Sequence, residues 1–140
     1  MHISEIMTRN VEYVPADTSL RKAAETMERL DVGFLPIGNS PREKLRGVVT
    51  DRDITVRGVA KGLDPDRTPI EQVKTDRVFY CYEDDDVEEA ARNMGEQEIY
   101  RLVVLNNRED KRLSGVVSLG DISRRRGDRL AGEVAGKITA

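Results

Sequence analysis

The chain has 140 residues, 35% of them charged with both signs interspersed, and a formal net charge of -3; this argues against a dedicated nucleic-acid binder and fits one ordinary domain or two small units sharing a core. A single cysteine, Cys81, and a single near-terminal histidine, His2, exclude an intramolecular disulfide and argue against zinc centres and histidine-based catalysis. No basic leader precedes an apolar run and no stretch approaches the roughly 20 apolar residues that span a bilayer, so the expected location is the cytoplasm, with neither nucleic acid nor membrane as partner.

In chain order, residues 11–14 form a β-like run ended by Pro15. Cap candidates at 17–19 then lead into a helix whose apolar positions Leu20, Ala23, Ala24, Met27 and Leu30 fall at helical spacing. Residues 34–37 and 45–50 predict a hairpin across the polar turn at 38–41. A second helix is expected from Asp51 to about Ala60, with Lys61-Gly62 as its stop. After a linker at 64–69 the order repeats: strand 78–82, helix 86–96, strands 100–105 and 113–118, and a helix from Leu119.

The repetition is residue by residue. Ile3, Ile6, Leu20, Ala23, Ala24, Met27, Val32, Leu35 and Ile37 recur 67 positions later as Ile70, Val73, Val87, Ala90, Ala91, Met94, Ile99, Leu102 and Val104. Gly47-Val48-Val49-Thr50 with Asp53-Ile54 recurs as Gly115-Val116-Val117-Ser118 with Asp121-Ile122, now 68 positions on, so the loop before this segment is expected to carry one extra residue in the second copy. The fold class is therefore α/β (α+β): two pseudo-twofold-related β-α-β-β-α units, each burying its open sheet face against its twin, with a groove at the joint where ligands are expected. The expected divisions are 1–64, 65–127 and a charged tail at 128–140.

Thr50 with Asp53, and Ser118 with Asp121, share one design: a hydroxyl at a strand end and a carboxylate three residues on. One reading is a capping-box variant that stabilises a helix start by about 0.5 to 2 kcal/mol. The other is a nucleotide grip, in which the helix N-terminus and the hydroxyl meet a phosphate while the carboxylate accepts ribose hydroxyls. Asp84, Asp85 and Asp86 have the composition of a metal cluster but stand at a helix start, where acidic residues favour the dipole; no metal site is expected. Tyr80, Cys81 and Tyr82 read as strand packing.

The leading Ile6-Met7-Thr8, the Val-Gly-Phe-Leu-Pro-Ile strand at 32–37 and both Gly-h-h-Ser/Thr-x-x-Asp segments, where h is an apolar residue, resemble a tandem pair of cystathionine β-synthase (CBS) domains, the stand-alone bacterial type of Bateman module, over residues 1–126. The resemblance implies a β-α-β-β-α unit used in pairs and an adenosine ligand: AMP, ADP or ATP, with S-adenosylmethionine or NADH as further options. It implies that Asp53 and Asp121 hold ribose hydroxyls in two sites, that Thr50 and Ser118 face the phosphates, and that Thr8 and Thr75 each reach the site of the opposite copy. Arg101 then stands as a phosphate partner beside Asp121, or as a solvated strand arginine. The first copy has Phe34 at that place and keeps Pro36 where the second has Val103, so the sites are unequal and the Ser118/Asp121 site is favoured for a phosphorylated ligand. Arg52 and Arg57, and Arg124, Arg125 and Arg126, either reach longer phosphate chains or are solvated.

The resemblance also implies that the alanine-bearing helices meet a second tandem pair, so a homodimer is expected, with Ala23, Ala24, Ala90 and Ala91 allowing close approach. The function expected is a non-enzymatic regulatory, signal-transduction module that binds adenosine-type nucleotides and passes a signal to a partner protein. The alternative is a structural dimerisation module in which both motifs only cap helices. No catalytic nucleophile-base pair is identified.

Overall fold

A computed structural model describes residues 1–9, 11–40, 43–126, 132 and 135–138. Parts of the expected turn at 38–41 and tail at 128–140 lie outside these residues. The chain divides into two compact units. One is continuous, Glu12–Val78; the other is split, joining Met1–Val11 to Phe79–Ala140. The leading segment of each repeat is thus housed with the body of the other.

In the continuous unit, α1 (Leu20–Leu30) starts at Ser19, whose side chain accepts the Lys22 N–H, and buries Leu20, Ala23 and Met27. These pack on Val14, Leu35, Ile37, Val49, Ile70 and Val73 as one apolar cluster. Strands β1 (Phe34–Ile37) and β2 (Gly47–Thr50) form the expected antiparallel hairpin, Phe34 opposite Thr50. The strand expected at 11–14 shrinks to a single parallel bridge from Val14 to Ile37, because Pro15 ends it at once. The helix expected at 51–60 is present but wound differently: a π-helix, Asp53–Gly58, runs into a 3₁₀ turn, Val59–Lys61. The β-branched run Ile54-Thr55-Val56 weakens an ordinary α-turn. Gly58 lets this segment lie against α1, since a Cβ there would stand 2.8 Å from Leu20 Cδ1.

In the split unit, β3 (Tyr80–Tyr82) runs parallel to β4 (Arg101–Leu105), which pairs antiparallel with β5 (Leu113–Ser118). The β3-to-β4 crossover is α2 (Val87–Gln97), capped by Asp86; Asp85 accepts the Tyr82 N–H at 2.9 Å. A last helix, α3, covers Leu119–Arg126. Val104 faces Gly115 but Leu105 faces Leu113, leaving Ser114 as a β-bulge. The length difference between the copies therefore coincides with a strand irregularity rather than lying wholly in a loop.

Three of the four alanines expected at an intermolecular contact belong instead to the chain's own cores: Ala23 and Ala91 are fully buried and Ala90 nearly so. Only Ala24 is exposed. The other three side chains are already covered, and a neighbour cannot reach them. No helix among the described residues is long and apolar enough to cross a membrane.

Cys81 packs in the split unit's core, and burial, followed by the nearby Asp85 charge, pushes its thiol up from 9.0 to about 12. The folded state holds this proton more tightly than the unfolded state, so its contribution is complete below the unfolded value and is lost as pH rises toward the folded one. Cys81 is expected to resist alkylation in native protein at pH 8 and to react at once in denaturant. Equal labelling rates in both states would contradict the burial.

Candidate functional site

Each Gly-h-h-Ser/Thr-x-x-Asp segment turns from a β-strand into a helix, and its glycine has a steric task. A Cβ on Gly115 would lie 2.3 Å from the Thr8 carbonyl oxygen; one on Gly47, whose φ is +149°, would lie 3.3 Å from the Thr75 carbonyl oxygen. The missing side chains let the two leading segments run against the strands. Thr8 pairs antiparallel with Val116 in the split unit and Thr75 with Val48 in the continuous one. A leading threonine therefore arrives beside each motif from the other repeat.

The motif geometry is reciprocal in both places. The Thr50 N–H donates to Asp53 Oδ2 at 3.0 Å while the Asp53 N–H donates to Thr50 Oγ1 at 3.0 Å. The Ser118 N–H donates to Asp121 Oδ2 at 2.8 Å while the Asp121 N–H donates to Ser118 Oγ at 3.1 Å. These are complete capping boxes. Both carboxylates are held nearly out of solvent, with Asp53 7% and Asp121 5% exposed.

Beyond the caps the sites differ. In the continuous unit the Thr75 hydroxyl donates to Asp53 Oδ2 at 2.8 Å, so the capping oxygen carries a second bond, and Arg57 Nε stands 4.0 Å from Oδ1. In the split unit the free oxygen, Oδ1, is paired with Arg124, a side chain that is 71% exposed. The sequence placed Arg124 among residues for longer phosphate chains; its spacing of three from Asp121 on one helix was the signal for this pair. The side chains of Arg125 and Arg126 lie outside the described residues. Arg52 is exposed at the start of its helical segment.

Of the proposed site residues, Arg101 and Ser118 line one surface cavity of about 530 Å³, together with Tyr100, Gly120 and Ser123 of the same unit. Gly132 and Ala135 also line it. Arg101 is exposed at the start of β4, whereas its counterpart Phe34 is buried in β1. The inequality anticipated from Arg101 and Phe34 is thus carried into space: only the split unit presents a guanidinium at this position. Tyr80 and Tyr82 meet edge to face at 5.7 Å, as strand packing.

The model of the CBS domain matches residues 3–58 and 70–128. The chain belongs to the CBS domain family. Hypoxic response protein 1 of Mycobacterium tuberculosis is 33% identical over 120 residues, which cover 86% of this chain and 81% of that protein. Among solved CBS structures, protein PAE2072 from Pyrobaculum aerophilum, complexed with AMP, superposes with a TM-score of 0.78 at 28% identity over 97% of this chain and 99% of that one. The CBS domain pair of protein MJ0100, in complex with 5'-methylthioadenosine and S-adenosyl-L-methionine, gives 0.76 at 26% identity, covering 92% and 98%. The mixed α+β fold and the tandem CBS pair are thereby established for this chain.

Proposed function

We propose that this CBS pair is a cytoplasmic regulatory module that binds an adenosine-type nucleotide, AMP, ADP or ATP, with Asp121 on the ribose and Ser118 and Arg101 on the phosphates. CBS domains at 1–64 and 65–127 and a tail at 128–140 make up the module. The observation that carries the reading is the Asp121 carboxylate: one oxygen is spent on the helix cap, and the other, among the described residues, is paired with an exposed arginine. A ribose diol that takes Oδ1 releases Arg124, and the freed guanidinium is then available to a phosphate. Asp53, Thr50 and Thr75 form a second, weaker site, because the buried Phe34 stands where the first site has the Arg101 guanidinium. Thr8 is the corresponding neighbour of the first site. The AMP and S-adenosylmethionine complexes of the structural relatives support this class of ligand. The output passes through a homodimer to a regulated partner protein.

The reciprocal caps favour one competing reading, a structural module without physiological ligand. Thermal melting with AMP, ADP, ATP, S-adenosylmethionine and NADH separates the two. A bound ligand at 100 times its dissociation constant adds about 2.7 kcal/mol, an upward shift of about 5 to 10 °C for a chain of this size. No shift with any of the five at millimolar concentration would leave only the structural module.

A further inference from the structure

The two units contain the same helix-lined groove, and among the described residues a later segment of the chain covers part of it in the split unit, beside the cavity lined by Tyr100, Leu119 and Ser123. In the continuous unit the groove is a cavity of about 510 Å³ whose floor includes Ala24, Met27 and Ile54 and whose rim includes Glu28, Asp31 and Asp51. The 67- and 68-residue offsets of the repeat place Ala91, Met94 and Ile122 at the same floor positions in the split unit, and all three are fully buried. Ala24 and Ile54, by contrast, are exposed and half-buried.

The C-terminal segment contributes to that cover. Ile138 packs against the cluster that contains Ala91, Met94 and Ile122. The Lys137 stem lies on Gly95, where a Cβ would stand 2.9 Å from Lys137 Cδ. Gly95 is the counterpart of Glu28, and Leu119 is the counterpart of Asp51. The open copy of the groove therefore keeps the apolar floor and gains two carboxylates at the rim, with no cation among its described lining residues.

We propose that the open groove of the continuous unit is a docking site for the C-terminal segment of a second copy of this chain, with an apolar side chain such as Ile138 on the floor and Lys137 against Glu28. Charge complementarity selects this occupant over a face-to-face contact of two identical grooves, which would set acidic rims against each other. Lys137 has no Cβ opposing it at Gly95, where one would stand 2.9 Å from its Cδ; at Glu28 its flexible stem has to move aside, and its ammonium gains a carboxylate. The proposal does not depend on nucleotide binding. It specifies one contact within the homodimer reading.

The test is a fluorescently labelled peptide of residues 127–140 titrated into the full chain and followed by anisotropy. Saturable one-to-one binding is expected, weakened about tenfold by Glu28→Lys in the chain or by Lys137→Glu in the peptide, and weakened by added salt. Glu28 is exposed, so the variant keeps its fold, which circular dichroism checks. Absence of binding at millimolar peptide would overturn the proposal. Binding indifferent to Glu28→Lys would do so too, since it would place the peptide in the groove of the split unit. Sedimentation of the full-length Lys137→Glu chain gives an independent outcome: a dimer as tight as wild type would remove the segment from the interface while leaving the homodimer reading standing.

Discussion

Replacing Ala91 with arginine is expected to cost the chain most of its stability, while the same replacement at Ala24, its counterpart in the repeat, leaves the fold in place. Ala91 has no exposed surface and sits among Val87, Met94 and Ile122. An arginine there buries an uncompensated charge, at about 3 to 5 kcal/mol, and overfills the packed core, at about 1 to 3 kcal/mol more. Domains of this size have only about 5 to 15 kcal/mol in total. Ala24 is exposed on the floor of an open groove, and an arginine there extends into solvent toward the acidic rim. Circular dichroism melts should place the Ala91→Arg midpoint at least about 10 °C below wild type, with Ala24→Arg within a few degrees of it. Similar melting of the two variants would mean that the two grooves are equally open, and the contrast between the units would fail.

That contrast marks where the sequence stopped being informative. Periodicity located α1 through Leu20, Ala23 and Met27, and the offset of 67 transferred the pattern to α2, because a helix face must repeat its apolar residues whatever it packs against. It did not reveal what each face packs against. Ala24 and Ala91 are identical in residue type and register, yet one is exposed and the other buried, and Ile138, which packs against the cluster containing the second, lies beyond the residues in which the repeat is legible. The winding of residues 53–58 was likewise invisible, since six residues are too short a stretch for apolar spacing to separate a π-helix from an α-helix. The site was more legible than the packing. A hydroxyl followed three residues later by a carboxylate constrains local geometry strongly, and both pairs formed reciprocal bonds. The glycines that begin the motifs were readable as part of a pattern, but their reason, the approach of the Thr8 and Thr75 backbones, is a long-range contact. Arg124 on Asp121 was within reach of the sequence by helical spacing alone.

Substituting Asp121 with asparagine is expected to separate the cap from the grip. The amide oxygen of asparagine can still accept the Ser118 N–H, so the helix start survives and the melting midpoint should fall by only a few degrees. The charge disappears, and with it the ion pair to Arg124 and the charge-assisted acceptor for a ribose diol. Hydrogen bonds to a charged group contribute about 1.5 to 3 kcal/mol, so nucleotide affinity measured by calorimetry should fall about tenfold or more. Asp53→Asn is the internal control. Asp53 belongs to the unit that has the buried Phe34 in place of Arg101, so a phosphate finds no guanidinium at that position, and the loss of affinity there should be smaller. Asp121→Asn protein that binds every nucleotide as tightly as wild type would reduce Asp121 to a helix cap. A larger loss from Asp53→Asn would instead move the principal site to the continuous unit, where Arg57 stands 4.0 Å from the Asp53 oxygen that faces the ligand.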